Sequence, residues 1–341
     1  MNLLSQPAHR RSRLSLSAAA VAASSVLLLT ACGGGGSSAA APAAALDPHA
    51  PEVADITGLS FRAPIAAGFL QAEKGGAAAE YGLNLTLEPI ESSATAVSQI
   101  VSGDVEIAQS SYFGVIDAAR QGIDVVIVSE SYASGPNVAS LETLPDSGIK
   151  ELKDLIGKKV AVVSLNSSHA VKLKDSMLEQ GLDPNAVEFV ELPYGEVAAA
   201  LQQGTVDASS ATAAFLVQVK EKLNTVTVFD YGAGKYDGMA ESGWIMKKSF
   251  AEENPNTVAA LQCALLKGTD QVRDEATYKA ILKDDLQFNA EAVAGDVAPT
   301  FGAAIRKEPL QMNADMLHNI GAIDEEFDIS SITIPTPANC G

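Results

Sequence analysis

Cysteine, tryptophan and positive charge are scarce in this chain of 341 residues: three Cys, one Trp, and 23 Lys and Arg against 42 Asp and Glu. Each shortage removes a class of function. The few cysteines form no C-x-x-C and the four histidines form no H-E-x-x-H, so neither a metal nor another cofactor is expected. A formal charge of −19 repels nucleic acid and anionic lipid, and neither is expected as a partner. Nucleophile elbows and phosphate-binding Gly loops are absent. Ser168 beside His169 is a neighbouring pair in sequence and not a triad.

What is present begins at the N-terminus. Arg10, Arg11 and Arg13 precede a stretch from Leu14 to Thr30 that carries no charge. A basic start, a short apolar core and small residues before a cut site read as an export signal. The run is too short, and too rich in Ala and Ser, for a spanning helix. Leu29-Thr30-Ala31-Cys32-Gly33 resembles the lipobox of bacterial lipoproteins. That resemblance implies that residues 1–31 are a signal peptide and that Cys32 carries the lipid; an ordinary signal cut near Ala31 is the alternative. Residues 32–51 are mostly Gly, Ser, Ala and Pro and cannot offset their ordering entropy, so they read as a tether. Cys263 and Cys340 remain, an even pair in an exported chain. A disulfide between them is expected, the alternative being two unrelated thiols.

From Glu52 onward the chain is long enough for two lobes. Sliding it on itself by 101 residues aligns Glu91–Ala108 with Leu192–Ser209 without a gap. Each copy reads as loop, short helix, Gly stop and strand, with Gly103 and Gly204 at the stops. Ala96, Val97, Ile100 and Val101 share one helical face, as do Val197, Ala200 and Leu201. Around these copies strands are expected at 57–61, 83–90, 125–129, 159–164 and 187–192. Helices are expected at 69–81, 112–121, 152–156 and 169–180. Alternating strands and helices imply a mainly parallel sheet covered on both faces, with ligands beyond the carboxyl ends of the strands.

The run Asp146-Ser147-Gly148-Ile149-Lys150-Glu151-Leu152-Lys153-Asp154-Leu155-Ile156-Gly157-Lys158-Lys159-Val160-Ala161-Val162 resembles a segment of bacterial solute-binding proteins. Gly181-Leu182-Asp183-Pro184, Val190-Glu191-Leu192-Pro193 and the stretch from Ala198 to Asp207 are similar to the nitrate/taurine/sulfonate branch of ABC-importer receptors. The similarity runs from about Ile56 to about Asn256. It implies an α/β fold of the periplasmic-binding-protein-like type II class: a two-lobed clamshell with mainly parallel sheets and two interlobe crossings, near 137–144 and 237–246. Lobe 1 would hold 52–140 and 245–341, and lobe 2 would hold 141–244. The implied protein is a monomeric, exported lipoprotein, anchored to the membrane only through its lipid. It would pass a small anionic solute (sulfonate, taurine or nitrate) to the permease of an ABC importer and do no chemistry itself. A pyrimidine-type or aromatic-acid solute is an alternative. An exported hydrolase and a protein-binding lipoprotein are the rival classes.

A strand-end loop that feeds a helix exposes unpaired N–H groups at the positive end of the helix dipole. Four such loops carry hydroxyls: Ser92-Ser93, Ser110-Ser111, Asn166-Ser167-Ser168 and Ser210 to Thr212. They suit an oxyanion or a polar organic ligand, or else they are ordinary N-caps. Arg62 and Pro64 follow the first strand, where the resembled family often contacts ligand. Arg62 would clamp a carboxylate or sulfonate, or pair with a surface acid. His169 sits in the first turn of its helix, as a ligand contact or a solvent-facing cap. Tyr112, Tyr132 and Tyr194 would stack on a flat ligand or pack at the rim. Trp244 is read as core or hinge packing.

Overall fold

The computed structural model describes residues 46–90, 93–295, 298–302 and 304–340. The signal, most of the tether, Cys32 and Ser92 lie outside them, so the readings that rest on those residues are not addressed by the fold.

The first sheet opens with β1 (Asp55–Ser60), α1 (Ala67–Lys74), α2 (Ala77–Glu80), β2 (Asn84–Pro89), α3 (Ser93–Ser102), β3 (Ile107–Ser111), α4 (Tyr112–Arg120) and β4 (Val125–Ala133). The expected helix over 69–81 is two helices. Gly75 and Gly76 part them, Gly76 at φ +82°, a left-handed conformation that only Gly adopts freely. The second sheet is built from β5 (Ala139–Thr143), β6 (Lys159–Val162), α5 (Ser168–Glu179), β7 (Glu188–Glu191), α6 (Val197–Gln203), β8 (Ala208–Thr212), α7 (Ala213–Leu223) and β9 (Val226–Asp230). A short 3₁₀ turn, Leu152–Leu155, replaces the helix expected at 152–156. The chain then returns with β10 (Ala240–Lys247) and closes with α8 (Lys248–Glu253), α9 (Pro255–Gln271), α10 (Glu275–Ala280), α11 (Ala290–Gly295) and α12 (Lys307–Asn319).

The two sheets have one plan. Their orders are β2-β1-β3-β10-β4 and β7-β6-β8-β5-β9. In each, four strands run in one direction, and the strand that has just crossed from the other lobe runs against them. The sequence repeat maps onto this plan: β3 and β8 are the strands of the two copies, and Gly103 (φ +81°) and Gly204 (φ +67°) make the left-handed turns before them.

The crossovers fall at 134–138 and 231–239, earlier than the sequence suggested. Ala139 and Ser140 therefore belong to the second sheet, and Ala240 to Trp244 to the first. The start of β10, Ala240-Glu241-Ser242-Gly243, has no apolar alternation to mark it, yet it is central and buried because β3 and β4 flank it.

Lobe 1 packs both faces of its sheet. Ala108, Ile127 and Ile245 face Ile100, Phe113 and Ile116 of α3 and α4, together with Leu310 and Leu317 of α12. Their neighbours Ile107, Val126, Val128 and Trp244 face Phe69, Leu261 and Leu265 of α1 and α9. This one-in, one-out alternation is the period of a strand buried on both sides. A disulfide joins Cys263 of α9 to Cys340 of the tail, with Cα atoms 4.8 Å apart. Lobe 2 buries Leu141, Leu173 and Met177 on one face and Val197, Leu201, Leu216 and Val219 on the other.

Candidate ligand-binding cleft

The carboxyl ends of the two sheets meet beside the crossovers. Ser110 and Ser111 end β3 and lead into α4, while Ser167 and Ser168 open α5 from the other lobe. Both helix starts are capped as a hydroxyl allows. Ser111 accepts from the Gly114 N–H at 3.3 Å, and Ser167 accepts from the Ala170 N–H at 3.4 Å. The other hydroxyls have protein partners too. Ser110 donates to the Ser111 carbonyl, Ser167 to the Ser164 carbonyl and Thr212 to the Val138 carbonyl. Capping and loop closure thus account for the local bonds of these side chains. Each hydroxyl oxygen keeps further acceptor capacity.

Below the lobe-1 strand ends lies a buried polar floor. Ser60 donates to Gln109, whose amide donates to the Ile65 carbonyl at 3.1 Å and to Ser131 at 2.9 Å; Ser131 in turn bonds Ser242 at 3.0 Å. Every link is between neutral groups, so the floor is rigid without carrying charge.

The lobe-2 wall is aromatic. The His169 ring stacks on Tyr231 with centroids 4.4 Å apart, and its Nδ1 meets the Tyr194 hydroxyl at 3.1 Å. Tyr194 stacks on Phe215 at 5.7 Å. From lobe 1, Tyr132, next to the last residue of β4, lies within electrostatic reach of Glu241, Tyr194 and Asp230. Burial raises the hydroxyl pKa of Tyr132, Tyr194 and Tyr231, so all three stay protonated donors.

Burial lowers the His169 pKa to about 4; the Lys172 ammonium acts in the same sense, and the Glu241 carboxylate opposes it. The imidazole is therefore neutral at neutral pH. In the unfolded chain it protonates near its ordinary value of about 6.5. Between those two values the unfolded state binds the extra proton, so stability falls as pH drops from about 6.5 toward 4. The full shift corresponds to about 3 kcal/mol, less whatever partial solvent contact screens. Replacing His169 with Gln is expected to flatten the decline of melting temperature across this window. A profile parallel to the wild type would assign the decline to carboxylates instead.

Three candidates lie elsewhere. Arg62 is exposed, and its Nη2 donates to the Asp285 carbonyl at 3.3 Å, so it neither pairs with an acid there nor reaches the polar floor. Pro64 is buried at the start of a 3₁₀ turn, where a missing N–H costs nothing. Tyr112 is fully buried in the lobe-1 core and offers no face to a ligand: it belongs to the apolar stripe of α4 with Phe113, Val115 and Ile116. Asn166 is exposed on the loop before α5, and Ser93 begins α3. Trp244 is core, packed against Phe69 with centroids 4.7 Å apart.

Sequence reasoning missed the charged pair at the centre of this region. Lys172 of α5 has no exposed surface and bonds Glu241 of β10, which is itself nearly buried. Glu241 also accepts from Ser134 and Ser168. Burial disfavours its ionisation, but the Lys172 ammonium and the two hydroxyls outweigh that and hold its pKa below the usual range. The available signals were a glutamate inside a small-residue strand and a lysine one helical turn from Ser168.

A scan against family models matches residues 63–276 to the family described as NMT1/THI5 like. The taurine-binding periplasmic protein of Escherichia coli K12 is 28% identical over 185 residues, which span 54% of this chain and 56% of that protein's length. Among solved structures, the periplasmic aliphatic sulphonate binding protein SsuA from Escherichia coli superposes with a TM-score of 0.69 at 18% identity, covering 83% of this chain and 97% of that one. The periplasmic nitrate-binding protein NrtA from Synechocystis PCC 6803 gives a TM-score of 0.69 at 14% identity, covering 83% and 87%. At such identities the superpositions speak for the fold. The repeated sheet plan, the two crossovers and the family match together place this chain in the NMT1/THI5-like family, with the fold of periplasmic binding proteins.

Proposed function

We propose that the protein is the extracytoplasmic substrate-binding component of an ABC importer. It captures a small organic anion between its lobes, hands it to the permease and does no chemistry itself. The observation that carries this reading is the meeting of two half-sites across the crossovers. The capped starts of α4 and α5 bring helix dipoles of both lobes to one region, where Ser168 and Lys172 of α5 bond Glu241 of β10. Neutral donors recognise an oxyanion there, since the Lys172 ammonium is already taken by Glu241. The similarity to taurine- and sulphonate-binding proteins supports the same class of solute.

A second reading has its own support. The two stacked pairs, His169 on Tyr231 and Tyr194 on Phe215, fit a planar aromatic acid or pyrimidine better than a bare nitrate. A thermal-shift panel of taurine, alkanesulfonates, nitrate, aromatic acids and pyrimidines separates the two. A true ligand at one hundred times its Kd adds about 2.7 kcal/mol of stability. A panel that leaves the melting temperature unmoved removes both readings.

Anchorage through lipid on Cys32 belongs to the same proposal. No helix among the described residues is long and apolar enough to cross a membrane. In the panel's companion experiment, Cys32→Ser should move the protein from the membrane fraction to the soluble one. Retention after a high-salt wash would exclude this anchor.

A further inference from the structure

Glu241 divides its two oxygens between the pivot and the start of α5. Oε1 takes Lys172 and Ser134, and Oε2 takes Ser168. The Lys172 ammonium also donates to the Tyr231 carbonyl at 2.9 Å and to the Ser134 hydroxyl. Ser134 and Tyr231 are the first residues of the two crossovers. Lys172 is thus tied to both hinge strands and to β10 at once, and all of these groups are buried. A point bonded to both crossovers lies near the axis about which the lobes turn, so its bonds keep their lengths when lobe 2 rotates.

Ser168 stands differently. It is one helical turn from Lys172, on the same face of α5 and about 5 Å nearer the cleft. Its described hydroxyl bond is the one to Glu241, on lobe 1, and no bond ties its side chain to a crossover. Rotation of lobe 2 away from lobe 1 carries Ser168 off Glu241 while Lys172 stays.

We propose that Glu241 is a positioning residue that sets lobe closure: Lys172 holds it at the pivot, and the Ser168–Glu241 bond forms only when the lobes are shut. This role rests on the two-lobe capture reading, yet it makes a claim about the closure equilibrium alone. A hydrogen bond from a hydroxyl to a buried carboxylate is charge-assisted, so losing it should lower the closed-to-open ratio about tenfold or more. The neighbouring Lys172–Glu241 pair is untouched by that loss, which separates it from a folding defect.

The experiment measures the distance between nitroxides at Ser98→Cys on α3 and Glu221→Cys on α7, both exposed and on opposite lobes. The full chain carries Cys32→Ser, and the bonded Cys263 and Cys340 are not labelled. Double electron–electron resonance is recorded without any solute. Ser168→Ala should shift population from the short to the long distance, and Ser168→Thr, which keeps the hydroxyl, should restore the original distribution. Coincident distributions for the parent and Ser168→Ala overturn the inference. So does an Ala-like distribution for a folded Ser168→Thr. Because no solute is present, neither result depends on whether the solute panel finds a ligand. Failure of the importer reading would appear in the panel and not here.

Discussion

Reducing the Cys263–Cys340 bond, or replacing either cysteine with serine, should cost up to about 4.5 kcal/mol of folding stability. The bond closes a loop with a sequence separation of 77, and in the chain-entropy model the cost of opening it grows with the logarithm of that length. The enclosed stretch includes α10, α11 and α12, and the tail that it pins is laid against the sheet. Ile334 N–H donates to the Ile127 carbonyl at 2.9 Å, the Gln262 amide donates to the Ile334 carbonyl at 3.0 Å, and the Tyr81 hydroxyl donates to the Cys340 carbonyl at 2.8 Å. These bonds keep the tail near its place after reduction, so the protein should still fold. Its calorimetric midpoint should fall by roughly 10 °C. A midpoint unchanged by reductant would mean that the tail is held by packing and hydrogen bonds alone.

Gly232→Ala should be comparably severe for a different reason. The two crossovers touch at Gly135 and Gly232. A Cβ at 232 would stand 1.9 Å from the Gly135 carbonyl oxygen and 2.4 Å from its carbon. Backbone cannot swing aside as a side chain can, so the crossovers must part. Overpacking of this kind costs about 3 kcal/mol or more. The damage falls on the strands that also carry Ser134 and Tyr231, so interlobe geometry should change along with the melting temperature. A variant that melts like the wild type would show that the hinge tolerates separation.

The rhythm of the fold was legible because its punctuation is local. Gly122 and Gly181 stop helices where apolar spacing ends, and the copies around Gly103 and Gly204 repeat in three dimensions as they do in sequence. Gly75-Gly76 was overlooked because Ala77, Ala78 and Ala79 continue the apolar spacing on the far side of the break. Most of β10 reads in sequence as a crossing because a strand between two others needs no alternation of its own. The hydroxyl loops were legible as helix starts, and the bonds that they make are those of helix starts. Lys172 and Glu241 were illegible singly: a lysine on an amphipathic helix ordinarily faces water, and only the crossing of two lobes brings a carboxylate to it. The aromatic wall comes from α5, the second crossover, the turn before α6 and α7 itself, segments that no spacing rule connects.

The position of β10 also orders the events by which this chain acquires its shape. Its partners in β3 and β4 lie more than a hundred residues earlier in the chain. The first sheet therefore cannot be completed until the whole of lobe 2 has been synthesised. Lobe 2 has no such dependence, since β5 through β9 are continuous in sequence. A chain that emerges N-terminus first thus holds an unfinished β1-β2-β3 ladder, with the edge of β3 exposed, while the later lobe can already close. Long-range pairing of this kind is slow and leaves strand edges open to aggregation. The strand that follows the second crossover is then also the one that the first sheet waits for.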